Sequence, residues 1–154
     1  MPVTLAIESP LQDEVRTLIA ELNTTLLELS PPEACYHLTV EEMAEPTVTV
    51  WVARDGDAVV GCGALKRHSD AVGEVKRMFT RPEWQGQGVG RRILGEIEAA
   101  AGREGLQTLV LETGDQHPAA WALYEKAGFA RCGPVLDYPD SPYSIFYQKQ
   151  LRAA

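Results

Sequence analysis

Glu74-Val-Lys-Arg-Met-Phe-Thr-Arg-Pro-Glu-Trp-Gln85-Gly-Gln-Gly-Val-Gly90-Arg-Arg-Ile-Leu94 reads as a strand, a short loop, three alternate glycines and the start of a helix. Gly86, Gly88 and Gly90 allow the backbone to come close to a ligand where a helix begins. The first turn of a helix presents unpaired N–H groups and the positive end of a dipole, so the position suits a phosphate. Two common nucleotide loops are excluded. A Walker loop needs Lys-Ser or Lys-Thr after its last glycine, and Arg91 follows Gly90. A dinucleotide fingerprint counted from Gly86 and Gly88 needs a third glycine at position 91, again Arg91.

The flanking sequence predicts a mixed α/β order. Val3 to Ile7 alternates as a strand. Ser9-Pro10-Leu11-Gln12 reads as a capping box opening a long helix, whose Leu11, Val15, Leu18, Ile19, Leu22, Leu26 and Leu29 recur at helical spacing until Pro31-Pro32. Thr39 with Glu42 three residues on suggests one more helical turn. Strands are expected over 48–54 and 58–65, joined by the hairpin signal Asp55-Gly56, and over 73–80. A helix over 88–103 with Val89, Ile93, Ile97 and Ala101 on one face, a strand over 109–113, a helix over 118–127 stopped by Gly128, and strands over 129–133 and 144–151 complete the chain. The helix between strands 73–80 and 109–113 implies one parallel crossover in an otherwise antiparallel sheet.

The run Gln85-Gly-Gln-Gly88-Val-Gly90, after a strand and Arg81-Pro82-Glu83, resembles the pyrophosphate-binding motif of the GCN5-related N-acetyltransferases, the GNAT superfamily. A second motif supports the resemblance: Ala120-Trp-Ala-Leu-Tyr124-Glu-Lys-Ala-Gly128-Phe129 is similar to the family's A-x-x-L-Y-x-x-x-G-F helix. The segments Glu74 to Met78, Pro31-Pro32-Glu33 and Gly133 to Pro142 look like a bacterial subgroup labelled YsnE-like. The resemblance covers nearly the whole chain. It implies a mostly antiparallel twisted sheet of six to seven strands with a splayed parallel pair, flanked by about four helices, and acetyl-coenzyme A as the acetyl donor.

Acetyl transfer from a thioester requires a neutral amine, a hydrogen-bonded oxyanion and a protonated leaving thiolate. The resemblance implies that backbone N–H groups of Gln85, Gly86, Gln87, Gly88, Val89, Gly90 and Arg91 hold the pyrophosphate, with added charge from Arg91. It also implies that backbone groups of Met78, Phe79 and Thr80 pair with the pantetheine arm, which requires the strand to splay from its neighbour, at a bulge. Tyr124 is the implied acid for the departing sulfur. Glu74, eleven residues before Gln85, is the implied base, although Glu74, Lys76 and Met78 share a face of a regular strand and Lys76 could simply pair with it. Glu112 is a second candidate carboxylate. His117 stands where the family often has Asn reaching the pantetheine arm; it could donate there, serve as a base, or cap the helix that starts at Pro118. Tyr36 and His37 on one side, and Tyr138 and Tyr143 on the other, are positional candidates for the acceptor pocket.

Composition is that of a water-soluble chain, 45% hydrophobic and 23% charged, and 154 residues suit a single N-acetyltransferase domain spanning 1–154. A net charge of −8 argues against a general nucleic-acid binder and is compatible with an amine substrate. No run is long enough to span a membrane, and Met1 to Glu8 lacks the features of a signal peptide, so a cytoplasmic location is expected. Cys35, Cys62 and Cys132 show neither metal-ligand nor disulfide spacing, so no metal is expected. The expected acceptor is a primary amine on a small molecule. Acetylation of a protein N-terminus or lysine, or a non-catalytic acyl-coenzyme A sensor, are the alternatives. A homodimer is compatible with the resemblance, but no residue argues for it.

Overall fold

In β2 (Val48–Asp55), Trp51 and Ala53 face one way and Val50 and Val52 the other, all four buried, so this strand needs cover on both faces. A computed structural model, describing residues 3–35 and 37–151, shows that cover. Helix α1 (Asp13–Leu29) and the short α2 (Val40–Met43) lie over the Val50 face through Val15, Leu18, Ile19, Leu22 and Met43. Helix α3 (Val89–Arg103) lies over the Trp51 face through Val89, Ile93, Ile97 and Ala101, and Tyr124 of α4 (Pro118–Lys126) joins the same cluster.

The sheet has seven strands among the described residues: β1 (Val3–Ile7), β2, β3 (Ala58–Arg67), β4 (Val72–Thr80), β5 (Thr108–Gly114), β6 (Ala130–Cys132) and β7 (Ser144–Gln150). Their spatial order is β1-β2-β3-β4-β5-β7-β6, and only β4 and β5 run parallel. This is the expected mixed α/β sheet with one parallel pair and four helices. At the β2–β3 hairpin Asp55 pairs with Ala58, and Gly56 takes the positive φ (61°) that the tight turn needs. The capping box at α2 also forms: Thr39 Oγ1 accepts from the Glu42 N–H (3.1 Å) and Glu42 Oε1 accepts from the Thr39 N–H (2.9 Å).

The capping box expected at Ser9 does not form. Helix α1 starts only at Asp13, with Gln12 as an N-cap that makes no side-chain cap bond. Gln12 is engaged elsewhere: its Nε2 donates to Glu8 (3.0 Å) and its Oε1 accepts from Arg54 (3.1 Å), which also pairs with Glu8 at 2.8 Å. This polar cluster joins β1 and β2 to the start of α1, and Ser9 Oγ accepts from Leu11 N–H within a turn ahead of the helix.

Two irregularities in β4 shape the middle of the sheet. The parallel ladder to β5 consists of Val72↔Thr108, Gly73↔Leu109 and Glu74↔Val110, and beyond these pairs the strands separate. On its other edge, β4 pairs Lys76 with Ala64 and Phe79 with Cys62, so Arg77 and Met78 together oppose Gly63. Arg77 has φ +58°, the left-handed geometry of a bulge, at a cost of roughly 1–2 kcal/mol for a non-glycine residue. The extra residue shifts the alternation. Val75 packs toward α3, Arg77 reaches Asn23 on α1, and Met78 and Phe79 pack toward α3 and the α1 side respectively. The expectation that Met78 shares a face with Glu74 and Lys76 therefore fails at the bulge.

Packing of β3 on this segment is tight. A Cβ at Gly61 would lie 2.9 Å from the Phe79 carbonyl oxygen, whereas one at Gly95, in the exposed interior of α3, would meet nothing within 4 Å. Gly61→Ala is thus expected to destabilise the fold by about 1–3 kcal/mol. Gly95→Ala is expected to stabilise it by about 0.5–1 kcal/mol through lower unfolded-chain entropy. Urea titrations of the two variants check the opposite signs.

Candidate active site

The gap between β4 and β5 opens into a cleft of about 750 Å³. One half is formed by Met78, Phe79 and Thr80 of β4, the glycine loop and α4. Past Glu74 no further β4–β5 pair forms among the described residues, which opens that edge of β4 to a ligand running along the strand. The loop is anchored on both sides. Arg81 pairs with Glu21 of α1 (2.6 Å) and donates to the Val59 carbonyl (2.7 Å), and Gln85 Nε2 donates to the Thr80 carbonyl (2.9 Å). Gly86 and Gly88 have φ of +78° and +83°, and a Cβ on either would project into open space. Gly88 is the N-cap of α3 without any side-chain cap, leaving the first N–H groups of that helix for an anion.

Gln85, Gly86, Gly88, Val89, Gly90 and Arg91 all line the cleft. The Gln87 side chain is turned to the loop itself, its Nε2 donating to the Glu83 carbonyl (3.2 Å). Arg92, exposed on α3, ties that helix to the edge of the sheet by donating to the Val3 carbonyl (2.7 Å). His117 precedes α4 but makes no side-chain cap bond, contrary to the capping option. Its Nε2 is buried without a partner among the described residues, and burial lowers its pKa, so a neutral ring sits on the cleft wall with a polar atom unsatisfied. An orphaned polar atom on the same cleft wall as the open edge of β4 fits the amides of a pantetheine arm.

Tyr124 and Glu112 both line the cleft, and the charge of Glu112 acts on the Tyr124 phenol. Tyr124 is 6% exposed, its ring packed at 5.9 Å from Phe129 and 6.0 Å from Tyr147, while its side chain contributes to the cleft wall. Burial pushes the phenol well above its ordinary range, and the negative charge of Glu112 adds to this. Glu112 lies two residues past the last β4–β5 pair and, among the described residues, accepts one hydrogen bond, from Ser144 Oγ (2.8 Å). Burial raises its pKa, opposed by Ser144 and the charge of Lys76. A half-buried carboxylate with raised proton affinity thus shares the cleft with a firmly protonated phenol.

Glu74 is placed differently. It is 2% exposed and absent from the described cleft wall. Oε1 is hydrogen-bonded with His68 Nε2 (2.8 Å), and Oε2 accepts from Lys76 Nζ (3.1 Å) and from the Tyr138 hydroxyl (2.5 Å). Lys76 also donates to the Tyr138 hydroxyl at 2.7 Å. Tyr138 therefore meets the sheet through Glu74 and Lys76, and only Lys76 of this group reaches the cleft. Tyr143 is 43% exposed and lies outside the described wall; its carbonyl accepts from Asp115 N–H at 3.0 Å. Tyr36 lies outside the described residues.

The other half of the cleft lies under α1. His37 is there, as expected, with Nδ1 2.9 Å from Asn23 Oδ1. Because that oxygen only accepts, Nδ1 carries the proton. Burial lowers the pKa of His37, and the charges of Arg77 and Lys76 lower it further. Arg77 also lines this half and donates through Nη2 to the same Asn23 oxygen. Sequence reading passed over Arg77 and Asn23, since regular alternation sends Arg77 to the α3 face. Among the described residues no helix is long and apolar enough to cross a membrane, and no cluster of three or more His, Cys, Asp or Glu could hold a metal ion.

Comparison with known proteins agrees with this geometry. A family model described as an acetyltransferase (GNAT) domain matches residues 46–131, the stretch from β2 through β6. An IAA acetyltransferase of Azospirillum brasilense is 45% identical, with 97% of this chain and 98% of that protein aligned. The uncharacterized N-acetyltransferase YsnE of Bacillus subtilis is 37% identical over 90% of this chain and 93% of its own length. The crystal structure of a Klebsiella pneumoniae protein, provisionally assigned as an acyl-CoA N-acyltransferase, superposes with a TM-score of 0.82 at 31% identity, covering 97% and 98% of the two chains. The same fold at 17% identity (TM-score 0.75, 98% of each chain) carries coenzyme A in an aminoglycoside 6'-N-acetyltransferase. With its splayed strands, glycine loop and Tyr124 helix, this chain belongs to the GNAT superfamily of acetyltransferases, which use acetyl-coenzyme A.

Proposed function

We propose that the chain moves the acetyl group to a primary amine of a small molecule, with Glu112 as the proton acceptor and Tyr124 as the proton donor. The observation that carries this reading is the shared placement of those two groups on the cleft wall where β4 and β5 part. Acetyl-coenzyme A supplies an activated thioester carbonyl and a thiol leaving group. The first-turn amides of α3 after Gly88, together with Arg91, hold its pyrophosphate by direct hydrogen bonds and charge. Backbone groups of Met78, Phe79 and Thr80, with the His117 ring, fix the pantetheine arm, and a β4 amide donates to the thioester oxygen as negative charge develops there. Tyr124, kept protonated by burial, gives its proton to the sulfur. Glu112, with one hydrogen-bond donor among the described residues and raised proton affinity, takes the proton of the amine.

Glu74 was the expected base, but its oxygens face His68, Lys76 and Tyr138. We assign it the holding of Lys76 and of the loop bearing Tyr138. The small-molecule acceptor is supported by the names of several relatives, among them an aminoglycoside N(6')-acetyltransferase of Stenotrophomonas maltophilia that is 30% identical over 56% of this chain.

Tyr124→Phe is expected to lower kcat by about 10²-fold with unchanged affinity for acetyl-coenzyme A, measured by thiol release and calorimetry; full turnover would remove Tyr124 as the acid. Gly88→Glu forces an L side chain into a left-handed position and sets a carboxylate at the anion site. It should abolish coenzyme A binding by calorimetry, and a normal binding isotherm would refute the pyrophosphate assignment. A base whose pKa lies above that of an ordinary carboxylate is lost as pH falls through that raised value. Accordingly kcat/KM should drop on the acid side at a pH above the usual Glu range, and Glu112→Gln should remove this limb together with most of the activity. If Glu74→Gln removes the limb and Glu112→Gln does not, the base assignment is reversed.

A further inference from the structure

Arg77 is 7% exposed, on a strand between two helical layers, yet no carboxylate among the described residues pairs with it. Its Nε is buried and has no partner among the described residues, and Nη2 is held by the neutral Asn23 side chain. A buried, incompletely satisfied guanidinium is costly unless an anion completes it. Three further observations point in the same direction. The bulge at Arg77 and Met78 turns this side chain onto the acceptor half of the cleft, in a backbone conformation that non-glycine residues rarely adopt. Burial lowers the guanidinium pKa to about 10, with no carboxylate offsetting it, so Arg77 is still charged near neutrality. Burial lowers the pKa of the nearby His37 ring, and the charges of Arg77 and Lys76 lower it further.

We infer that Arg77 is the carboxylate anchor of the acceptor site, and that the acceptors are amines that also carry a carboxylate, in the manner of amino acids. This inference rests on the small-molecule acetyltransferase reading above. Planar guanidinium and planar carboxylate match in a fork geometry that a lysine cannot reproduce. Asn23 fixes the orientation of the fork, and Leu22 and Leu26 on the same half supply an apolar wall for the body of the acceptor. Overall acidity does not oppose this, because a buried local cation determines the potential in a narrow cleft more than distant surface charge does.

The test uses matched acceptors, L-phenylalanine against phenethylamine and L-leucine against isoamylamine, in thiol-release assays with saturating acetyl-coenzyme A. The expected wild-type preference in kcat/KM for the acid-bearing member is about 10- to 100-fold. Arg77→Gln should collapse that ratio to about one through loss on the acid-bearing member, and Arg77→Lys should restore only part of it. Calorimetry with acetyl-coenzyme A and a thermal melt show whether each variant keeps its donor site and fold. A wild-type ratio near or below one, or a ratio unchanged in Arg77→Gln, overturns the assignment. If acetyl-coenzyme A binds but no amine of either kind releases thiol, the proposed reaction fails. Calorimetry with 3-phenylpropionate against phenethylamine on the coenzyme A-loaded protein then decides the anchor. Tighter binding of the acid that disappears in Arg77→Gln supports it, and equal binding overturns it.

Discussion

The end of the parallel ladder between β4 and β5 is the constraint on which the rest of this molecule depends. Three pairs hold the strands together, from Val72↔Thr108 to Glu74↔Val110, and then the two diverge in the interior of a seven-stranded sheet. An unpaired strand edge inside a fold is normally untenable, because its N–H and C=O groups must find partners. Here the vacated edge faces the cleft. Several neighbouring features follow from that opening: the anchoring of the glycine loop by Arg81, the approach of α4 with Tyr124 across the gap, and the unsatisfied Nε2 of His117.

The bulge opposite Gly63 complements the splay. A strand that leaves one neighbour must stay registered with the other, and β4 does so with an extra residue where it meets β3. The cost is a left-handed Arg77; the result is that Lys76 and Arg77, adjacent in sequence, both serve the α1 side of the sheet. Lys76 is paired there with Glu74, whereas Arg77 has no carboxylate partner among the described residues, in a chain whose net charge is −8. Net charge describes the surface seen from a distance and is silent about a half-buried cleft.

Much of this was legible in the sequence because it is local. Alternation in Val48 to Arg54, the Thr39–Glu42 cap and the Asp55-Gly56 turn each depend on residues a few positions apart, and each formed. The glycine run and the Tyr124 helix are equally local, and their joint spacing identified the superfamily. What escaped depends on distant partners. Ser9 failed as a cap because Arg54, on another strand, recruits Gln12. Arg77 was invisible because a bulge is a relation between two strands, and period-two counting along one of them cannot register it. Tyr138 was expected at the acceptor pocket, and its hydroxyl instead closes on Glu74 and Lys76, more than sixty positions earlier.

The two carboxylates beside the splay show how position relative to the ladder sets chemistry. Glu74 belongs to the last parallel pair, where the sheet is still continuous and every neighbouring polar group converges on it: His68 on one oxygen, Lys76 and Tyr138 on the other. A carboxylate with its lone pairs so engaged is suited to holding a loop and a cation in place. Glu112 lies two residues beyond the last pair, where β5 has lost its neighbour, and Ser144 is its single hydrogen-bond donor among the described residues. The same divergence that removes its partners leaves it half-buried, which raises its proton affinity, and brings it within electrostatic reach of Tyr124. A general base needs an open lone pair and a pKa moved toward the working pH, and a general acid needs a proton it does not lose to solvent. Both conditions arise on the open side of the splay, which favours Glu112 over Glu74 for the proton of the amine.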